Sequence, residues 1–300
     1  MVSFKVGTTT ALLALALTIV GAPVVAQQSL YQETVESYRQ AREKRLQTDY
    51  GWLSVIDLYW LPAGKTVVGA GDKADLKLPA EVAPAVVGAI ELALGKVTLD
   101  VASGVELTRR DAPISGIEEW VPGAEGQIRI GRIQLTLLQR GDRFGVRVKD
   151  PARVTQSGFA GLEAYPVDLR WKIPARLTRY AEPKSVVIDT VIETPAEMLS
   201  LGTVDFIADG QAVHLEALVN SASDSEIFII FKDSTNGTTT YGAGRYLYAR
   251  IHPGDRVDLD FNRAYNPPCA FTSFATCPLP PQQNRLTVPV PAGEQYGAPR

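Results

Sequence analysis

Hydrophobic residues along most of this chain occur in short runs, and each run is interrupted by glycine, proline or acidic residues. Runs of this length without a helical period are typical of β-strands. Residues 29–48 are the exception, because apolar side chains recur there at helical spacing beside a charged, solvated face. The pattern predicts a mainly β protein in which a short N-terminal helix is followed by antiparallel, sandwich-like or barrel-like sheets.

Two hairpins stand out in this pattern. Residues 130–138 and 144–148 flank a Gly-Asp turn, and residues 204–208 and 213–219 flank Asp209-Gly210. The Asp150-Pro151 step marks a boundary between two β-rich blocks. We therefore predict four parts, comprising a signal segment, a helix and two β-rich domains: residues 1–26, 27–50, 51–150 and 151–300.

The first 26 residues predict export. Lys5 supplies a positive start, residues 11–20 are apolar, and Val24 and Ala26 place small side chains before Gln27. An uncleaved membrane anchor is the alternative, since residues 7–26 just reach spanning length. Cleavage predicts a periplasmic or secreted protein with no later membrane span.

Charge narrows the choice of partner. The net charge is −3 over 300 residues. A chain without a strong basic field is not expected to bind nucleic acid or an anionic membrane surface as its main partner.

The densest polar segment is residues 258–286, with two cysteines, five prolines and three asparagines. Proline fixes the backbone and removes a donor, so a defined, non-repetitive path is expected. In an exported chain the pair Cys269 and Cys277 predicts a disulfide. Two buried free thiols are the alternative.

An arginine directed into a core marks the strand before this segment. Arg245 shares the inward parity with Leu247 in a strand predicted over 240–251. A buried guanidinium needs an anionic partner, and Asp260 on the next predicted strand is the expected one. Such a pair is either a structural clamp or the polar floor of a pocket.

The same C-terminal region resembles a bacterial family of unknown function, DUF1684. The residues that carry the resemblance are 239–247, 260–271, 277–281 and 284–286. The resemblance extends more weakly over residues 50–293, and it implies no established activity, substrate or cofactor. The first β block also resembles phosphopeptide-reading sandwich domains, but it lacks their arginine and serine loop arrangement.

Enzyme signatures are absent from the sequence. There is no nucleophile elbow, zinc-binding helix motif or phosphate-binding glycine loop. His214 and His252, the two histidines, have no spacing typical of a triad or a zinc site. We therefore expect no metal and no cofactor.

The leading functional hypothesis is a ligand-binding or purely structural exported protein. A small polar molecule or an extended peptide would be bound by aromatic and polar side chains around one concavity. The residues expected there are Tyr241, Arg245, Tyr246, Asp260, Asn262, Tyr265 and Asn266. The alternatives are a cell-envelope hydrolase using Asp258 or Asp260 and an oxidant-sensing cysteine pair. Nothing in the sequence indicates an oligomeric state.

Overall fold

The computed structural model describes residues 21–297, with side chains from residue 27 onward. Residues 1–20 of the predicted signal segment lie outside the described residues. Helix α1, Gly21–Leu46, opens the described part. No helix within residues 21–297 has both the length and the apolar character needed to cross a membrane.

The first β block packs two sheets face to face. One sheet has the order β1-β11-β10-β9-β6-β7 and the other β3-β2-β4-β5-β8. Their strands are β1 Val55–Trp60, β2 Gly64–Gly69, β3 Leu76–Lys77, β4 Gly88–Ala93, β5 Lys96–Val101, β6 Leu107–Arg109, β7 Ala112–Ile114, β8 Gly116–Glu119, β9 Ile128–Ile130, β10 Ile133–Arg140 and β11 Arg143–Lys149.

Every second side chain of β10 and β11 points into the core of this block. Leu135 and Leu137 on β10, with Val146 and Val148 on β11, are buried in the core between the sheets. The intervening residues of both strands face away from that core, as the period of two requires. That outer face meets the second β block.

The second β block is a closed antiparallel barrel in the order β12-β13-β14-β15-β16-β17. Closure removes the sheet edges that would otherwise expose unpaired backbone groups. Its strands are β12 Lys172–Ile188, β13 Ala196–Ala208, β14 Gln211–Val219, β15 Glu226–Phe231, β16 Arg245–His252 and β17 Arg256–Asp260. The short helical segments of the chain are Trp52–Ser54, Ala124–Gly126, α2 Ala152–Gln156, Leu169–Trp171, Phe261–Arg263, Pro268–Ala270 and Gln282–Asn284.

The predicted fold class is confirmed, and so are both hairpins. β10 pairs with β11 around a Gly-Asp turn, and β13 pairs with β14 around Asp209-Gly210. The division into domains at residue 150 stays a prediction.

The strand predicted over 240–251 is shorter than expected. β16 begins at Arg245, and the preceding residues form a turn in which the Gly244 amide donates to the Tyr241 carbonyl over 3.1 Å. Gly244 has a φ of +105°, and a Cβ there would lie 2.7 Å from the Phe231 carbonyl oxygen. Only glycine tolerates both conditions, so the chain leaves the strand conformation at this point.

Helix α1 lies against the end of the barrel. Val35 is completely buried on its inner face, and the Tyr31 hydroxyl donates to Asp260 Oδ1 over 2.7 Å. Arg39 donates to the carbonyl of Asn262 over 3.1 Å. The helix thereby forms one wall of the region where the predicted site residues meet.

Candidate binding site

Arg245 is completely buried, as its parity on β16 predicts. Its guanidinium donates to Asp233 Oδ2 and to the Val290 carbonyl, each over 2.8 Å, and also to the Ala292 carbonyl. Burial lowers the pKa of Arg245, and the negative charge of Asp233 opposes that change. The guanidinium therefore holds the loop after β15 to the C-terminal segment.

The prediction that Asp260 is the partner of Arg245 is wrong. Asp260 faces α1 instead, where it receives the Tyr31 hydroxyl and lies 3.2 Å from Arg263 Nε. Burial, with the hydrogen bond to Asp260, raises the pKa of Tyr31. Arg245 and Asp260 therefore belong to separate clusters of side chains.

Asn262 and Asn266 fasten the segment after β17. The Asn262 amide nitrogen donates to the Tyr31 hydroxyl over 2.9 Å and to the Asp168 carbonyl over 2.8 Å. The Asn266 amide nitrogen donates to the Gln295 carbonyl over 2.9 Å. Both residues are buried, and each donates a hydrogen bond to a backbone carbonyl of the protein.

Tyr241 and Tyr246 are also tied to the backbone of the cysteine-containing segment. Tyr241 donates to the Cys269 carbonyl over 2.9 Å, and Tyr246 donates to the Pro278 carbonyl over 2.8 Å. Cys269 and Cys277 are free thiols, so the predicted disulfide is absent from the structure. The Cys269 amide donates to Cys277 Sγ over 3.2 Å.

An open groove lies beside these fastened residues, between α1 and the outer face of β15 and β16. Its cavity volume is about 530 Å³. Its lining combines aromatic rings with three arginines: Tyr38, Arg42, Arg45, Leu46, Trp52, Glu226, Phe228, Tyr246, Tyr248, Arg263, Tyr265 and Pro268. We call this cavity the aromatic groove.

Strand register builds the aromatic wall of the groove. Phe228 and Tyr248 are cross-strand partners on β15 and β16, and their rings stack with centroids 4.8 Å apart. Tyr265 exchanges two backbone hydrogen bonds with Tyr246, which sets its ring 6.3 Å from that of Tyr248 and nearly parallel to it. Tyr248 is half exposed, so the stack presents an open ring to the cavity.

Arginines from α1 and from the segment after β17 form the opposite side. Arg42 lies 4.4 Å from the centroid of the Tyr265 ring and forms an ion pair with the buried Glu294. Arg263 lies 5.4 Å from the centroid of the Tyr38 ring. Burial raises the pKa of Glu294, and Arg42 opposes that rise.

A second cavity of about 520 Å³ continues the groove, since both are lined by Glu226, Tyr248 and Arg263. Asp258 and Asp260 line it together with His252. His252 Nε2 lies 3.8 Å from Asp258 Oδ2. Among residues 27–297, no group of three or more His, Cys, Asp or Glu side chains is placed to hold a metal.

Of the residues predicted for the site, Tyr246 and Tyr265 line the aromatic groove and Asp260 lines the second cavity. Sequence reasoning missed the α1 residues and Trp52, which lie far away in sequence. Tyr246 and Tyr248 are alternate residues of β16, so the strand period of two places them on one face, and this is the sequence signal for the aromatic wall.

Comparisons with known proteins point to one family. The model described as "Protein of unknown function (DUF1684)" matches residues 157–295. A solution NMR structure of an uncharacterized protein from Haloarcula marismortui is 33% identical; the match covers 47% of this chain and 78% of that one, with a TM-score of 0.40. No curated protein matches the sequence.

Two structures of FHA domains also match, at 18% identity and a TM-score of 0.23. One is described for phosphothreonine-dependent interactions, and the other is the FhaA FHA domain complexed with the intracellular domain of a second protein. Each match covers 31% of this chain and more than nine-tenths of the FHA domain. A likeness at this level carries no functional inference.

Proposed function

This chain belongs to the DUF1684 family of proteins of unknown function, and from that premise we propose that it binds a small polar molecule in the aromatic groove. The molecule carries a planar ring and a group rich in hydrogen-bond acceptors. A volume of about 530 Å³ lies within the range of small-molecule sites.

The observation that carries the proposal is the half-exposed Tyr248 ring on top of an ordered stack. The Phe228 ring stacks on it with centroids 4.8 Å apart, and the Tyr265 ring lies nearly parallel to it at 6.3 Å. A rigid aromatic surface of this kind offers a planar ligand contact area at little cost in side-chain entropy. A second planar group can extend the stack into the cavity.

Arginine side chains on the α1 side of the groove supply hydrogen-bond donors for the acceptor-rich part of the ligand. Arg42 uses its Nε and one terminal nitrogen on Glu294 and Asn266, which leaves its other terminal nitrogen available. Arg45 is exposed and has no ion pair among the described residues. Guanidinium groups suit carboxylate or phosphate oxygens because they donate two parallel hydrogen bonds.

Arg245 has no part in this proposal. Its three acceptors all come from the protein, and its side chain is fully buried. For Arg245, Tyr241 and Asn262 we propose the structural role, in which they hold the C-terminal segment on the barrel.

Native mass spectrometry of the purified protein tests for a copurifying small molecule. Nucleoside monophosphates and aromatic carboxylates are the probes for a thermal-shift and calorimetric titration. We expect at least one probe to bind, Tyr248→Leu to weaken it about tenfold through lost stacking, and Arg45→Gln to weaken it by a similar factor.

Lys44→Gln is the matched control, because Lys44 neighbours Arg45 on the exposed side of α1 and is absent from the groove lining. The Lys44→Gln variant should bind the probe with the same affinity as the unmodified protein. If no molecule copurifies and no probe binds, the groove is a structural feature and the binding proposal fails.

The second candidate function is a cell-envelope hydrolase with carboxylate-based catalysis. The observation in its favour is that Asp258 and Asp260 line one cavity with His252. Asp260 already accepts from Tyr31 and lies against Arg263, which leaves Asp258 as the freer carboxylate. Hydrolysis of generic ester, peptide or glycoside substrates that is lost in Asp258→Asn would support it.

We also propose that the protein is exported and cleaved before Gln27. The basis is the sequence pattern of residues 5–26. All contacts described above between α1 and the barrel begin at Tyr31 or later, so cleavage leaves them in place. Cell fractionation and N-terminal sequencing test the proposal, and a full-length N-terminus on membranes would contradict it.

A further inference from the structure

Two cations lie on the outer face of the first sheet, where it meets the cysteine-containing segment. Arg147 and Lys149 are alternate residues of β11, opposite Thr136 and Gln134 on β10. Arg147 is 9% exposed. We call this pair, with the residues around it, the junction site.

The hydrogen-bond acceptors and the ring that contact both cations are neutral. Arg147 donates to the Phe274 carbonyl over 3.4 Å and Lys149 donates to the Tyr50 carbonyl over 2.6 Å. The Trp52 ring lies under both, with its centroid 4.8 Å from Arg147 Cζ and 5.9 Å from Lys149 Nζ.

No carboxylate of the described chain forms an ion pair with either side chain. A third cation, Arg140, adds repulsion at Arg147. Arg140 itself donates to Thr276 Oγ1 over 3.0 Å and to its neighbour's carbonyl.

Two donors at the junction site have no partner. Arg147 Nε and Thr136 Oγ1 are buried, and neither forms a hydrogen bond within the protein. They stand on facing positions of paired strands. Arg245 is completely buried and its Nε also lacks a hydrogen bond, but its guanidinium has the carboxylate of Asp233 at 2.8 Å. An isolated buried charge without such a partner is strongly unfavourable.

Cys277 does not supply the missing negative charge. It lies near Arg140 and Arg147, but its hydrogen bond with Cys269 and its burial raise its pKa. The thiol is therefore neutral at physiological pH. A water molecule would satisfy the free donors but would leave the charge uncompensated.

We propose that the junction site binds a small inorganic anion, a halide or a compact oxyanion, between Arg147, Lys149 and Thr136. The anion takes the place that a carboxylate occupies beside Arg245. It accepts from Arg147 Nε and Thr136 Oγ1 and neutralises the ammonium of Lys149. Because Arg147 bonds to Phe274 and lies over Trp52, a bound anion also strengthens the contact between the two β blocks.

Bromide identifies the site directly. Crystals of the unmodified protein grown in bromide should show an anomalous peak within about 4 Å of the Arg147 guanidinium, the distance of an ion pair. In solution, chloride or bromide should raise the melting temperature by about 2–4 °C over gluconate at equal ionic strength. Gluconate serves as the reference because it is a much larger anion than a halide.

Arg147→Met removes the central cation and should abolish the difference between halide and gluconate. Arg143→Met is the matched control, since Arg143 lies on the same strand and is exposed; it should keep the full difference. The absence of a bromide peak in the unmodified protein overturns the proposal even if the variant does not fold. A halide effect that persists in Arg147→Met also overturns it.

Discussion

Tyr31 on α1 donates its hydroxyl to Asp260 on β17 over 2.7 Å, across 229 positions of the chain. The same hydroxyl accepts from Asn262 over 2.9 Å. One phenol thus joins the N-terminal helix to the end of the barrel and helps to position the wall of the aromatic groove.

Removing that hydroxyl should loosen the helix. Tyr31→Phe keeps the ring but leaves Asp260 and Asn262 each without one partner, so we expect a loss of about 1–3 kcal/mol in unfolding free energy. Urea denaturation measures the loss, and limited proteolysis should cut α1 faster. Gln32→Ala, at the neighbouring exposed position, is the control; equal stability of both variants would show that the hydroxyl does not anchor the helix.

The buried pair of Arg245 and Asp233 gives a second prediction. Arg245→Met leaves Asp233 buried without its cation, which should cost about 3–5 kcal/mol. Adding Asp233→Asn removes the uncompensated charge and should recover part of that loss. Chemical denaturation of the two single variants and the double variant measures the coupling; additive losses would mean that the two side chains do not act as a pair.

The stability of the protein should depend on pH through Lys149. Burial, and then the charge of Arg147, lowers the pKa of Lys149 from 10.5 to about 8 in the folded chain. Between these two values the unfolded state binds more protons, so unfolding free energy rises with pH across that window. Arg147 is the charged neighbour that acts on Lys149, and it favours the neutral amine.

This dependence is best measured in gluconate, where no halide compensates the charge. From pH 8 to 9.5 we expect the unmodified protein to gain on the order of 1 kcal/mol relative to Lys149→Met, after allowing for partial solvent screening. The comparison cancels the tyrosines, which both proteins share. Parallel pH profiles would show that Lys149 titrates normally.

The two thiols should react at different rates. Cys277 is 4% exposed and its pKa is raised by the hydrogen bond with Cys269 and by burial. Cys269 is half-buried, and hydrogen bonding to Cys277 lowers its pKa. Because the thiolate is the reactive form, iodoacetamide should label Cys269 first in the native protein.

Peptide mapping by mass spectrometry locates the label. Cys269→Ser should remove the fast phase and Cys277→Ser should retain it. Equal labelling of both cysteines at early times would contradict the assigned environments.

Several features of the barrel were predictable because they depend on local alternation. Arg245 falls in step with the buried Leu247 and Ala249 on β16, which was sufficient to predict its burial. Its partner was not predictable by the same argument, because Asp233 lies in the loop after β15. Phe231 pairs with Arg245 across β15 and β16, and this register brings the loop that contains Asp233 close to Arg245. The sequence pattern does not reveal the register.

The full lining of the aromatic groove was not predictable from local sequence patterns. Phe228 and Tyr248 lie on neighbouring strands, but Arg42 and Trp52 come from segments about 180 or more positions earlier. No periodicity links such distant residues. The cysteine pair is a similar case, since proximity in sequence favoured a bond that the three-dimensional arrangement does not form.

The ion pair between Arg42 and Glu294 closes a loop of 252 positions. During synthesis α1 emerges first, and its counter-charge emerges only after the last barrel strand. Contacts of this span form late and slowly because a long loop must close before they contribute. A chain made or cut short of residue 294 therefore lacks this ion pair beside the groove, and competence to bind would itself report that synthesis has passed that residue.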